Sequence, residues 1–141
     1  MTKEIWRQRW LDSINELTSF DLQKKAWLDN SNTNPHWTFV EFMSCYFDEL
    51  FFDDNYEYYI DNGWVSRQEY QIIKDWHKLL DKYDAPKNDD YDHKSILTDI
   101  HWLEIVKIGV DAKNKLAEIL NPNEKEYLTA EINYLDLPDK V

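Results

Sequence analysis

The sequence predicts an all-α fold, a single-domain bundle of about five to six helices over residues 1–141, arranged around a central aromatic-rich helix. Apolar residues recur at intervals of three and four along most of the chain, which is the spacing of one helix face. The chain has only two Gly and four Pro, and no segment alternates apolar and polar residues as a half-buried strand does. A length of 141 residues suits one hydrophobic core.

The first two predicted helices precede a polar turn. A helix from Lys3 to Leu17 is amphipathic, and its apolar positions share one face: Trp6, Trp10, Ile14 and Leu17. Ser19 is a suitable N-cap for a second, short helix over residues 20–28. Residues 29–34 contain no apolar side chain to bury, so we expect a turn there.

The third predicted helix, Pro35 to Phe51, is the central one. Asn34 is a helix-capping residue, and Pro35 is well tolerated in a first helical turn. Apolar side chains cover more than half of its circumference, which is typical of a helix surrounded by others. The remaining surface is a narrow polar strip, formed by Glu41, Ser44, Cys45 and Asp48.

An acidic, aromatic segment separates this helix from the next. Residues 52–63 predict an irregular loop or a short distorted helix that ends at the turn dipeptide Asn62–Gly63. Ser66 and Glu69 then match a capping box, in which each side chain bonds the other residue's backbone N–H. This box predicts a helix from Arg67 to Tyr83.

The C-terminal third predicts one helical turn over 94–98, a long helix and a terminal helix. Asp99 caps the long helix, Ile100 to Leu120, whose inner face carries the small residues Gly109 and Ala112 and so permits close approach of a neighbour. Asn121–Pro122 repeats the cap-and-proline start, and the terminal helix covers 123–135.

The formal charge of −12 is distributed unevenly. Residues 29–64 carry eight Asp and Glu and no Lys or Arg, which gives this quarter of the chain a net charge of −8. Such a protein repels phosphate backbones and anionic lipid surfaces, so neither nucleic acid nor membrane is an expected partner. A basic protein is.

Cysteine content and hydropathy indicate the compartment. Cys45 is the single cysteine, so an intramolecular disulfide is impossible. The N-terminal residues contain no apolar segment of the kind a signal peptide needs, and no apolar run is long enough to cross a bilayer. We therefore expect a cytoplasmic protein.

The candidate binding residues lie between positions 37 and 64, a region rich in both aromatic side chains and carboxylates. Aromatic rings supply stiff contact area, and unpaired carboxylates attract a basic partner. The tyrosines allow two interpretations: they are exposed contacts, or Tyr56, Tyr59 and Ile60 fold onto the core as a lid. The candidate residues are Trp37, Glu41, Asp48, Glu49, Asp53, Asp54, Tyr56, Glu57, Tyr58, Tyr59, Asp61 and Trp64.

No pattern predicts an enzyme, a cofactor or a metal site. The Glu-x-x-His pair of helical di-metal sites is absent, and the acidic run starting at Asp53 lacks the glycine of a calcium loop, since Tyr58 stands there. The histidines lack zinc-site spacing. His77 is interpreted as a packed or partly exposed histidine and Cys45 as a small packing residue, and glycine-rich phosphate loops are missing.

The segment Glu57-Tyr58-Tyr59-Ile60-Asp61, together with the overall negative charge, resembles small immunity proteins that neutralise bacterial nuclease toxins, including those of the colicin and contact-dependent inhibition classes. The resemblance implies a mechanism in which carboxylates occupy the basic, phosphate-binding surface of a nuclease. Aromatic rings anchor the centre of the contact, and substrate is excluded. The expected function is thus a toxin inhibitor.

Two alternatives remain open at this level. One is a helical domain that binds a small ligand between helices, with Glu41, Asp48 and His77 lining the pocket. The other is a DNA-mimic inhibitor whose carboxylates are spaced like phosphates. The oligomeric state is not predicted.

Overall fold

The computed structural model describes residues 1–51 and 55–135. Over these ranges it contains eight α-helices, a 3₁₀ turn at Pro86–Asn88 and no β-strand. The all-α class is confirmed, and the helices are more numerous than predicted. They are α1 (Lys3–Leu17), α2 (Phe20–Trp27), α3 (Phe39–Phe51), α4 (Tyr56–Asp61), α5 (Arg67–Lys82), α6 (His93–Thr98), α7 (Ile100–Ala117) and α8 (Pro122–Thr129).

The additional helix is α4, within the segment predicted as an irregular loop or a short distorted helix. Asn55 caps it, because its side chain accepts a hydrogen bond from the backbone N–H of Tyr58. Asn62 then ends it, donating from its side-chain amide to the Tyr58 carbonyl. The Ser66–Glu69 capping box at the start of α5 is confirmed.

The predicted start of α3 at Pro35 is wrong. The Asn34 side chain accepts from the backbone N–H of His36, which forms a turn instead of a first helical turn. The helix begins four residues later, where the hydroxyl of Thr38 accepts from the backbone N–H of Glu41. Thr38 therefore acts as the cap.

The buried apolar side chains of the described residues form a single core cluster. α1 packs most extensively against α2, α3, α7 and α8, and α7 packs most extensively against α1, α5, α6 and α8. α3 contributes large rings to the core, including Phe42 and Tyr46. Trp10, Trp27 and Trp76 are core residues as predicted, since none exposes more than 4% of its surface.

Gly109 is a point of close approach between α7 and its neighbours. A Cβ atom at this position would lie 2.6 Å from Nε1 of Trp76 and 2.7 Å from a methyl group of Thr18. The Trp76 ring is itself fully buried and has no room to move. The predicted role of Gly109 in close packing is confirmed.

Arg7 joins three distant parts of the chain through every N–H of its guanidinium group. Nη1 donates to Oε1 of Glu69 at 3.0 Å and to the carbonyl oxygen of Trp64 at 2.6 Å. Nη2 donates to Oε2 of Glu69 at 2.7 Å and to Oε1 of Glu124 at 3.0 Å, and Nε donates to Oε2 of Glu124 at 2.6 Å. The guanidinium carbon also lies 5.3 Å from the ring centroid of Trp10.

The two carboxylates held by Arg7 occupy equivalent helix positions. Glu69 follows its N-cap Ser66 by three residues in α5, and Glu124 follows its N-cap Asn121 by three residues in α8. Burial opposes the charged form of Glu69, but hydrogen bonds from Arg7 and Ser66 outweigh it and lower the pKa of this carboxyl. The ion cluster thus fixes the first turns of α5 and α8 against α1.

None of the helices within 1–51 and 55–135 combines the length and apolar composition needed to cross a bilayer.

Replacing Gly109 with Ala tests the close approach. Alanine raises intrinsic helix propensity by about 1 kcal/mol, but the added methyl group collides with the Trp76 ring. We expect the free energy of unfolding to fall by about 1–3 kcal/mol in urea denaturation. The exposed Val110→Ala on the same helix should change it by less than about 0.5 kcal/mol. A Gly109→Ala protein more stable than wild type would contradict the packing.

Removing the Arg7 charge tests the ion cluster. Arg7→Met leaves the buried Glu69 and the half-buried Glu124 without a cation, and we expect it to lower the free energy of unfolding by about 3–5 kcal/mol. The matched control is Arg67→Met, because Arg67 forms a single exposed ion pair with Glu57, and its loss should change the free energy of unfolding far less. Equal losses from the two substitutions would show that the Arg7 cluster does not stabilise the fold.

Candidate functional site

The polar strip of α3 is confirmed and faces solvent. Asp48 and Glu49 are exposed, and Glu41 is half-buried. Within the strip, the Ser44 hydroxyl donates to Asp48 at 3.1 Å and the Cys45 thiol donates to Glu49 at 3.4 Å. These are contacts between successive turns of one helix.

The carboxylates on this side of α3 form no ion pair with a basic side chain among the described residues. The ion pairs found there involve Arg7, His36, Arg67 and Lys115, and none includes Glu41, Asp48 or Glu49. Burial and the charge of Glu49 raise the pKa of the Cys45 thiol, which is therefore protonated at neutral pH. Cys45 is a hydrogen-bond donor rather than a thiolate nucleophile.

Acidic residues of α1 extend the negative surface next to α3. The pKa of Asp12 rises to about 6 through desolvation and the like charge of Glu16. Glu16 binds His36, with 2.7 Å between Oε2 and Nε2. Burial favours the neutral form of His36. The hydrogen bond and negative charge of Glu16, together with the charges of Glu41 and Glu49, outweigh this effect and raise the imidazole pKa. His36 is therefore the basic side chain with which this group of acids interacts.

α4 separates its tyrosines onto two sides. Tyr56 and Tyr59 expose 3% and 8% of their surfaces, whereas Tyr58 exposes 49%. The Tyr59 hydroxyl donates to the carbonyl of Leu50 at 2.7 Å, and its ring stacks on Trp6 with centroids 4.5 Å apart. The lid interpretation therefore holds for Tyr56 and Tyr59, and Tyr58 is the exposed one of the three.

Trp37 and Glu57 also differ from expectation. Trp37 exposes only 6% of its surface and packs against His36 and Phe42, so its ring is not presented to a partner. Glu57 is exposed but pairs with Arg67 at 3.0 Å. The expected absence of a neutralising cation around the acidic segment is wrong at this residue. Asp61 is exposed. Asp53 and Asp54 lie outside the described residues.

Four candidate residues come together at a small cleft of about 260 Å³. Glu49 comes from α3, Tyr58 and Tyr59 come from α4, and Trp64 follows α4. The half-buried Trp64 ring lies 5.7 Å from that of Tyr59. The remaining wall consists of Met1, Trp6 and Asn62. We take the residues of this aromatic cleft, together with the α3 carboxylates Glu41, Asp48 and Glu49, as the candidate site. We call this set of residues the acidic–aromatic surface.

A buried chain of hydrogen bonds anchors α4 beneath this surface. The Trp10 indole donates to the Tyr56 hydroxyl at 2.8 Å, which contacts the Tyr46 hydroxyl at 2.6 Å, which in turn contacts Nδ1 of His77 at 2.9 Å. The Trp10 indole can only donate a hydrogen bond, so the Tyr56 hydroxyl accepts from it and donates to the Tyr46 hydroxyl. The Tyr46 hydroxyl then needs an acceptor for its own proton, and Nδ1 of His77 is that acceptor. Neutral His77 is therefore the form that completes the chain. Its prediction as a packed or partly exposed histidine is confirmed, since it is half-buried.

A larger groove of about 810 Å³ lies where α1 meets the starts of α5 and α8. Its inner wall contains Arg7, Glu69 and Glu124, which already satisfy one another. Sequence reasoning missed this groove, although the two N-cap motifs that place its carboxylates are visible in the sequence. Glu41, Asp48 and His77, proposed above as a ligand pocket, line neither this groove nor the small cleft.

Among the residues that the structure describes, no three His, Cys, Asp or Glu side chains lie close enough together to hold a metal ion. Comparison with protein-family models, curated proteins and solved structures found no match to this chain. The function must therefore be inferred from the site itself.

The pH dependence of stability tests the hydrogen-bond chain. Burial lowers the pKa of His77 below its ordinary value of 6.5. As the pH falls below about 6.5, the unfolded chain binds a proton that the folded protein does not, so the free energy of unfolding decreases. His77→Asn keeps an acceptor for Tyr46 but cannot titrate. In denaturation between about pH 8 and pH 5, we expect wild type to lose more stability than the variant. Identical pH slopes would mean that His77 does not carry the acceptor role.

Proposed function

We infer that the protein is an acidic cytoplasmic inhibitor that binds a basic protein, and that this partner is a nuclease toxin. The observation that supports the proposal is the pair of exposed carboxylates on α3, Asp48 and Glu49: neither forms an ion pair within the described chain, and Glu49 lines the aromatic cleft. Unpaired surface charge of one sign speeds association with an oppositely charged partner. Exposed tyrosine and tryptophan provide the anchors that interfaces favour.

The cleft suits a basic side chain of the partner. Its walls are the rings of Tyr58 and Trp64, and Glu49 stands at its side. An arginine guanidinium entering it stacks on an aromatic face and pairs with the carboxylate, two interactions that reinforce each other when water is excluded. In a nuclease, arginines of this kind bind substrate phosphate, so occupying them blocks the substrate.

The resemblance to immunity proteins supports the proposal only through those residues of the segment 57–61 that are exposed. Glu57, Tyr58 and Asp61 lie on the outer side of α4. Tyr59 supports the fold from beneath, so the contact depends on one tyrosine rather than two. The contribution of α3 to the acidic–aromatic surface compensates, because it adds carboxylates from a second helix.

Reversing the charges on α3 tests the proposal. In the triple variant Glu41→Lys, Asp48→Lys, Glu49→Lys, we expect the affinity for the partner to fall at least about 100-fold, since like charges then face each other. The partner is captured from an extract of the source organism on immobilised wild type and identified by mass spectrometry. Binding is then measured by surface plasmon resonance, and the association rate of wild type should fall as salt rises.

The matched control is Asp75→Lys, Glu118→Lys, Glu126→Lys, which changes the net charge equally at exposed positions on other helices or their ends. It should retain the partner and its inhibition. The proposal fails if the α3 variant, folded by circular dichroism, captures and inhibits the same nuclease as wild type. It also fails if no captured protein is a nuclease that wild type inhibits.

A further inference from the structure

The outer face of α7 carries an exposed stripe with the spacing of a coiled-coil seam. Ile100, Leu103 and Val110 expose 73%, 37% and 40% of their surfaces. With Lys107 and Asn114 between and after them, they occupy positions separated by three, four, three and four residues. The three apolar residues thus fall at a and d positions of two heptads, the positions that face a second helix in a coiled coil, and the two polar residues fill the others. The opposite face of α7 is the one buried in the core.

The stripe forms two successive hollows of the kind that receive side chains of a facing helix. In a coiled coil, each hole is formed by four residues at positions i, i+3, i+4 and i+7. The first hollow is bounded by such a set, with His101 beside it: Ile100, Leu103, Glu104 and Lys107. The second contains the next set, with Ile108 beside it: Lys107, Val110, Asp111 and Asn114.

The charges on this face complement a copy of the same face. Glu104 and Lys107 are exposed, and neither forms an ion pair with another residue of the described chain. If two α7 helices pack antiparallel about a twofold axis, Ile100 of one copy enters the second hollow of the other. Lys107 then enters the first hollow, where its aliphatic stem covers Leu103 and its ammonium group reaches Glu104. The twofold axis generates each contact twice.

We propose that the outer face of α7 binds a second copy of this chain in an antiparallel helix pair. Two molecules with a net charge of −12 repel each other, so self-association requires a surface whose own charges are mixed. The α7 stripe meets this requirement, whereas the acidic–aromatic surface does not. The proposal is independent of the proposed function, because the two surfaces share no residue.

Charge exchange within the stripe provides the sharpest test. The probe is the purified full chain, studied by sedimentation velocity from about 10 μM to about 1 mM, because one helix face buries less than the ~1,200 Å² of stable complexes. Salt is held near 0.15 M, where charges beyond about 8 Å are screened. We expect the average mass of wild type to rise towards twice the monomer mass. Glu104→Lys and Lys107→Glu, made singly, should each weaken dimerisation at least about 5-fold, and the double exchange should restore it.

Two further variants control for folding and general stickiness. Leu103→Asp should abolish dimerisation, and Leu79→Asp, an equally exposed leucine on α5, should leave it unchanged. Circular dichroism confirms that each variant is folded. The proposal is overturned if wild type remains monomeric throughout, if Leu103→Asp dimerises like wild type, or if the double exchange dimerises no better than the single variants.

Discussion

The guanidinium group of Arg7 connects α1 to the first turns of α5 and α8. Its five N–H groups are all used, two on each of two carboxylates and one on the carbonyl of Trp64. A charge cluster of this kind is costly to bury and stabilises only when every partner is present, so it selects one arrangement of the helices. Through the Trp64 carbonyl it also positions the backbone that carries the indole ring of the candidate site. The fold and the site therefore share one constraint.

Helix periodicity and capping residues were enough to predict most of the secondary structure, because both are local. The sequence also contained the information for α4, because the capping residue Asn55 precedes Tyr56 and Tyr59, which are three residues apart. Two such residues share one helix face, so Tyr58 must point away from that face. The Arg7 cluster could not be predicted, because its partners lie 62 and 117 residues away in sequence. The start of α3 was wrongly predicted at Pro35 for a local reason, since the side chain of Asn34 caps a turn rather than a helix.

The candidate site was partly predictable, because some of its features also depend only on the local sequence. Acidic residues without basic neighbours in sequence form no ion pair on α3 within the described chain. On α4 the pairing of Glu57 with Arg67 depends on the turn that brings the start of α5 back beside it. Aromatic residues divided by helix face, which sequence composition alone cannot show. The acidic–aromatic surface and the outer face of α7 are two separate exposed regions that result.

The state of Arg7 in solution is the most direct test of this account. In a ¹⁵N-edited NMR spectrum at neutral pH, the Nε–H of Arg7 should give a sharp, slowly exchanging signal with separately resolved Nη protons, because each is held by an acceptor. The exposed Arg9 and Arg67 serve as internal references, and their protons should exchange rapidly. An Arg7 guanidinium that exchanges as fast as these two would contradict the central ion cluster and the arrangement of α1, α5 and α8 built on it.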